Sequence, residues 1–262
     1  MSSSLKCLFL ENFKLCEIGN GQTVAVLSEG EELSDYREAS LVAASELGAT
    51  VLDACIPTKS SMQITERMAD IGQNSLQEHP EVMDACLHAD IVIDHMLLLF
   101  SREQTAMQKA GARVLLIVEP PEILERLFPT LKLCRRVKAA EKYLGNAKTL
   151  RFTNDVGTDV TYQLGNSPIL TEYGFTSDAG RWDHWPGGFL ATLAKEQGVN
   201  GRVVMNAGDI IFPLKSLLNA PVEFVIQNSL VVAINGGEDA AALKSFMASY
   251  EDPRAYAVSH IG

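Results

Sequence analysis

Residues Thr23-Val24-Ala25-Val26-Leu27 form a short, continuous apolar run. It is followed by Tyr36, Ala39, Ala43, Ala44 and Leu47 at helical spacing, then by Gly48 and a second run, Thr50–Cys55. A strand, a helix closed by a glycine cap and another strand make up a βαβ unit, whose short connections favour a parallel sheet. The pattern continues with strands expected at Asp90–Ile93 and Arg113–Val118 and helices at Gln104–Ala110, Glu122–Leu127 and Leu131–Leu144. Pro120-Pro121 suits the start of a helix, because proline is tolerated in the first turn. Residues 1–146 therefore read as a Rossmann-like α/β domain built on a parallel sheet.

After Gly145-Asn146 the pattern changes to short β-rich runs between Gly, Asn and Asp turns: Leu150–Thr153, Asp159–Tyr162, Arg202–Met205, Asp209–Phe212, Val222–Ile226 and Leu230–Ile234. Gln227-Asn228-Ser229 reads as a hairpin turn, and Glu238–Tyr250 as one helix stopped before Pro253. The fold class is α/β, with the N-terminal parallel-sheet domain followed by a β-rich α+β domain over 147–262, which carries the candidate catalytic residues and is expected to be incomplete.

The chain has 262 residues, 47% apolar and 21% charged, with a formal charge of −11. This is the composition of a globular chain of one or two domains at roughly 150 residues each. The acidic balance disfavours nucleic acid, whose phosphates need a Lys/Arg face, and a small-molecule partner is expected. Five cysteines at irregular spacing, with no CxxC, suggest neither a disulfide framework nor a thiolate zinc site. Without a signal-peptide core or an 18-residue apolar run, no membrane association and a cytoplasmic location are expected.

No GxGxxG or GxxxxGK[ST] supports a nucleotide site. Chemistry is concentrated instead in Thr171-Glu172-Tyr173-Gly174 and Gly180-Arg181-Trp182-Asp183-His184-Trp185-Pro186-Gly187-Gly188. Aromatic walls with a few polar groups on a glycine-rich loop suit a small-molecule pocket. Alternatively, Trp182 and Trp185 plug a domain junction while Arg181 pairs with Asp183. His184 can serve as a general acid or base near neutrality, or as a hydrogen-bonded packing residue. Glu172 is either a pocket carboxylate or a solvated one. His260, at the end of an apolar run, could ligate a metal, while His95 follows the third strand, where parallel sheets bind ligands.

These strings, with Gly208-Asp209-Ile210-Ile211, Gly236-Gly237 and Ser259-His260-Ile261-Gly262, resemble the 2,5-dihydroxypyridine 5,6-dioxygenase family, as do Met96–Ser101 and Val118–Glu122. At fold level that family is related to aminopeptidase T-like metalloproteins. The resemblance implies ring opening with O2 in nicotinate and nicotine breakdown, a homo-oligomer, and a non-haem Fe(II) held by two histidines and a carboxylate. It places His260 on a metal ligand, His184 and Glu172 on catalytic positions, and Trp182 and Asp183 near the substrate. The family carries a histidine just after the Met-Leu-Leu stretch, where this chain has Phe100; His95 is the nearby candidate to replace it. The remaining histidine and aspartate ligands are expected beyond Gly262, so the sequence is expected to be C-terminally truncated. The alternatives are a metallohydrolase of aminopeptidase type and a non-catalytic paralogue or fragment.

Overall fold

A computed structural model describes residues 3–58, 74–211 and 216–261. The chain begins with α1 (Ser3–Leu15), β1 (Thr23–Glu29), α2 (Ser34–Glu46), β2 (Thr50–Ile56), α3 (Pro80–Leu87), β3 (Ile91–Asp94) and α4 (Arg102–Ala110). There follow β4 (Arg113–Leu116), α5 (Pro121–Arg126), α6 (Leu131–Asn146), β5 (Thr149–Thr153), β6 (Asp159–Leu164), β7 (Leu170–Glu172) and β8 (Trp182–His184). The remaining elements are β9 (Phe189–Ala191), β10 (Ala194–Met205), β11 (Ile210–Ile211), β12 (Ser216–Leu217), β13 (Val222–Gln227), β14 (Leu230–Gly236) and α7 (Glu238–Ala248).

Two compact units result, one of Met1–Lys138 with Thr171–Phe189 and the other of Ala139–Leu170 with Leu190–Gly262. The first holds a five-stranded parallel sheet in the order β2-β1-β3-β4-β8. Every residue of β3 and β4 is buried, as expected where helices cover both faces of a parallel sheet. Tyr36, Ala39, Ala43 and Ala44 form the buried stripe of α2, and Gly48 follows that helix at φ +87°, the left-handed position expected for it. Phe9 of α1 lies at the centre of an aromatic cluster with Phe13, Tyr36, His95 and Trp185.

The structure differs from a single boundary near residue 147. The segment 171–189 belongs to the first unit, because Trp182–His184, expected as part of a loop, pairs with β4 as the fifth parallel strand. His184 and Glu172 thus belong to the α/β unit and not to the β-rich one. A three-residue strand containing Asp and His has neither the apolar run nor the alternation that marks strands in sequence.

The second unit is an antiparallel sheet in the order β14-β13-β10-β6-β5. Ala240 and Leu243 of α7 pack with Val222 and Ile234 of the sheet. The turn at Asn228-Ser229 has both residues at positive φ, 50° and 65°, matching the right-handed twist of a two-residue hairpin. The expected run Asp209–Phe212 contains the two-residue β11, and Phe212 lies outside the described residues. Among the described residues no helix is long and apolar enough to cross a membrane.

Candidate active site

The carboxyl ends of parallel strands gather the backbone turns that lead into the next element, and ligands bind there in open α/β sheets. In the first unit these ends carry Asp94 as the last residue of β3, His95 just after it, Glu119 after β4 and His184 on β8. Leu116 of β4 is in register with His184, and the Trp185 amide continues the ladder by donating to the Leu116 carbonyl at 3.0 Å. This register brings the end of β8 beside the segment that leads from β4 to Glu119.

The His184 ring is bracketed by two carboxylates. Its Nδ1 lies 3.6 Å from Glu172 Oε2 and its Nε2 lies 3.9 Å from Glu119 Oε1. Both separations exceed a hydrogen bond, and Nε2 is a buried atom without a hydrogen-bond partner. The indole of Trp182 stacks on the imidazole, with centroids 6.4 Å apart and planes inclined by 26°. Trp182 is itself buried, and its Nε1 is also unpartnered. Glu172 and His184, adjacent only loosely in sequence, thus come together. Glu119 escaped the sequence reading because a lone carboxylate before Pro120-Pro121 looks like an ordinary solvated helix start. The available signal was its position just past the end of a parallel strand.

Asp183 holds this arrangement in place. Its side chain is fully buried, and Oδ1 accepts the amides of Tyr173, Gly174 and His184 at 2.9, 2.7 and 2.9 Å. Oδ2 takes Nη2 and Nε of Arg181 at 2.6 and 3.1 Å. The same guanidinium donates to the Thr171 carbonyl at 2.8 Å and lies 3.9 Å above the Tyr173 ring. Burial pushes the Asp183 carboxyl up to about 6, while Arg181 and the amides pull the other way, leaving it ionised at neutral pH. Asp183, expected near the substrate, here ties residues 171–174 to β8 with both oxygens engaged. The pairing of Arg181 with Asp183 is present, whereas Trp185 is buried in the core of the first unit and not at a domain junction, donating Nε1 to the Leu124 carbonyl at 3.2 Å.

The backbone of Glu172 is fixed by the Gly188 amide, which donates to its carbonyl at 2.7 Å. The adjoining Gly187 packs against the chain at Tyr173, where an added Cβ would stand 2.1 Å from the Tyr173 carbonyl carbon. Gly187→Ala must therefore displace backbone. We expect it to lower stability by about 1–3 kcal/mol, read as a reduced urea midpoint, and to lower turnover by shifting Glu172. An unchanged midpoint would show that the strand of chain at Tyr173 yields freely.

His95 does not replace the missing loop histidine. Its Nδ1 lies 2.7 Å from the Ile117 carbonyl and its Nε2 3.0 Å from Ser40 Oγ, so a neutral ring satisfies both partners within the core. Burial pushes the imidazole down to about 4. A depressed folded-state value means that its contribution to stability is complete above about 6.5 and is lost as the pH falls toward 4. Asp94 and Asp183, pushed up to about 6 by burial, act with the opposite sign and lose stabilisation as the pH rises through that value. The contribution of His95 is isolated by difference. Between pH 7 and 5 the unmodified chain should lose about 2 kcal/mol more stability than His95→Gln. Parallel curves would contradict a neutral, buried His95.

Asp94 anchors the loop that carries Phe100, accepting the Met96 and Leu98 amides at 2.7 and 2.9 Å. Phe100 itself is exposed and held at φ 60°, with its amide donating to Gln104 Oε1 at 2.9 Å. His260 lies in the second unit on an exposed segment. That segment is pinned by the Val258 amide on the Ser229 carbonyl at 2.9 Å and by the reciprocal Ile261–Thr192 pair at 3.0 Å.

The family model for 2,5-dihydroxypyridine 5,6-dioxygenase (NicX) matches residues 4–262. The chain belongs to this family. A relative from Pseudomonas putida KT2440, named 2,5-dihydroxypyridine 5,6-dioxygenase, is 37% identical over 265 residues that cover 100% of this chain and 75% of its own length. The solved structure of 2,5-dihydroxypyridine dioxygenase from the same strain superposes with a TM-score of 0.90 at 36% identity, covering 98% of this chain and 74% of the other. AmpT from Thermus thermophilus shares the fold, with a TM-score of 0.63 at 14% identity over 98% of this chain and 77% of its own. The mixed α/β architecture with a separate antiparallel unit is thus that of the NicX-family structure.

Proposed function

We propose that the chain is a dioxygenase that opens the ring of 2,5-dihydroxypyridine, or of a related hydroxylated N-heterocycle, with O2. The observation that carries this beyond family membership is His184, poised between Glu172 and Glu119 at the carboxyl edge of the parallel sheet. Ring cleavage by O2 needs an electron-rich ring, and removing a hydroxyl proton supplies the electrons. His184 accepts that proton, and the two flanking carboxylates stabilise the imidazolium that forms, as pre-placed charges do for a developing charge. Glu172, backbone-anchored and only 12% exposed, stands on the Nδ1 side, where its charge stabilises the protonated ring. Trp182 contributes a flat wall beside the imidazole and a buried N–H suited to a substrate oxygen.

The proposal includes Fe(II), with His260 as one ligand, and a role in nicotinate breakdown by a cytoplasmic homo-oligomer. A mononuclear Fe(II) centre of two histidines and a carboxylate would leave positions for substrate and O2. The residues described here do not complete such a centre: no group of three or more His, Cys, Asp or Glu side chains is placed to hold a metal. The chemistry that the chain's own residues supply is accordingly the proton transfer at His184. Phe100, where the resemblance calls for a histidine, favours a proton route that does not use that loop.

The test is O2 uptake by anaerobically iron-loaded protein on addition of 2,5-dihydroxypyridine. Uptake that depends on both ring and iron is expected, and no uptake with any dihydroxypyridine would overturn the proposal. His260→Ala should weaken iron binding at least about tenfold, since loss of even an outer partner of a metal ligand costs 10–100-fold. Unchanged iron affinity would remove His260 from the ligand set.

A further inference from the structure

We propose that Glu119 is the exit for the proton that His184 takes from the substrate, so that His184 and Glu119 form a directional relay while Glu172 steadies the imidazolium from the other ring nitrogen. The proposal rests on the assignment of His184 as the proton acceptor. Its geometry is independent: the carboxylates address opposite ring nitrogens and differ in contact with water. The side chains of Glu172, His184 and Glu119 are 12%, 21% and 39% exposed, so access to solvent rises along the series and the Glu119 end is the outer one.

Glu119 is held for this task by its backbone. Its carbonyl accepts the Tyr36 hydroxyl at 2.6 Å, and Pro120 and Pro121 follow at the start of α5, restricting the residue before them. The carboxylate faces His184 Nε2, the buried nitrogen that has no hydrogen-bond partner. A neutral imidazole carries one N–H and can serve one of the two carboxylates; only the imidazolium presents an N–H to each. The cluster is therefore matched to a ring that gains a proton on one nitrogen and sheds the other.

The balance of the step is simple. The ring O–H bond breaks and leaves its electron pair on the substrate oxygen while an N–H bond forms at Nδ1. The Nε2–H bond then breaks as the proton passes to a Glu119 oxygen, which releases it to water or buffer, and the ring, left protonated at Nδ1, regains its Nε2–H tautomer by proton exchange with water before the next turnover. No electrons leave or enter the protein. Glu119 acts through His184 and is a positioning and transfer residue, without contact to the ring.

Two measurements on the full chain test this. The first needs no turnover: in histidine-selective 15N NMR, Glu119→Gln should move the His184 Nε2 resonance, and Glu172→Gln should move Nδ1. An Nε2 resonance unmoved by Glu119→Gln overturns the proposal. The second uses the iron-loaded protein with 2,5-dihydroxypyridine. Glu119→Gln should lower kcat about 10–100-fold at low buffer with KM within about twofold. Added imidazole should restore most of that loss, because a small base replaces an exit group, whereas Glu172→Gln should not be rescued. A loss indifferent to imidazole, or no loss at all, overturns the relay. Failure of the unmodified protein to turn over strikes the proposed function instead, and the NMR arm still separates that result from a failed assignment of Glu119.

Discussion

His184→Ala is expected to lower turnover of 2,5-dihydroxypyridine by about 10²–10⁴-fold, the range for loss of a general acid–base group, or about 3–5 kcal/mol of barrier. The fold should survive. The imidazole makes no hydrogen bond shorter than its 3.6 and 3.9 Å contacts to the two glutamates, whereas the features that hold β8 are its backbone ladder to β4 and the amide of residue 184 on Asp183. Alanine keeps both. The expected result is thus a large fall in kcat with a urea midpoint close to that of the unmodified chain. A rate that does not change would return His184 to a packing role beside Trp182, and the proposed chemistry would lose its proton acceptor.

Asp183→Ala should have the opposite profile, with stability affected first. The substitution leaves the Arg181 guanidinium without its counter-charge and three amides without an acceptor. Removing one partner of a buried ion pair costs about 3–5 kcal/mol, because the remaining charge stays desolvated. Urea unfolding should show a loss of that size, large against the 5–15 kcal/mol of an ordinary domain. Asp183→Asn retains the shape and should cost less. If the pair is responsible, adding Arg181→Leu to Asp183→Ala should recover part of the loss, since the second change removes the stranded charge; strict additivity of the two single losses would argue against coupling. Activity should fall in parallel with the amount of folded protein, because Asp183 holds the backbone at Tyr173 and His184.

The parallel strands β1 to β4 were legible because strands covered on both faces are written as unbroken apolar runs, and Gly48 marks the end of α2 by the left-handed conformation it must adopt. β8 was not legible. Its three residues, Trp182-Asp183-His184, owe their strand conformation to the exposed edge of β4 and to the Asp183 tie, neither of which is local in sequence. That one omission placed Glu172 and His184 in the β-rich domain and suggested one boundary near 147, where the chain instead passes between units more than once. The pairing of Glu172 with His184 was approachable through their closeness in sequence. Glu119, more than fifty residues upstream, becomes a neighbour of His184 only through the parallel register, so its residue type alone carried no signal. His95 shows the converse: its place at a strand's end suggested chemistry, yet Ser40 and the Ile117 carbonyl occupy both ring nitrogens.

The central claim is that this chain uses His184 to prepare a hydroxylated N-heterocycle for cleavage by O2. Mass spectrometry of the product formed from 2,5-dihydroxypyridine by iron-loaded protein under 18O2 tests it most directly. Incorporation of both labelled atoms into the ring-opened product, at a rate that falls about 10²–10⁴-fold in His184→Ala, is the predicted result. Product oxygen drawn from water, or labelled product formed equally fast without His184, would contradict it.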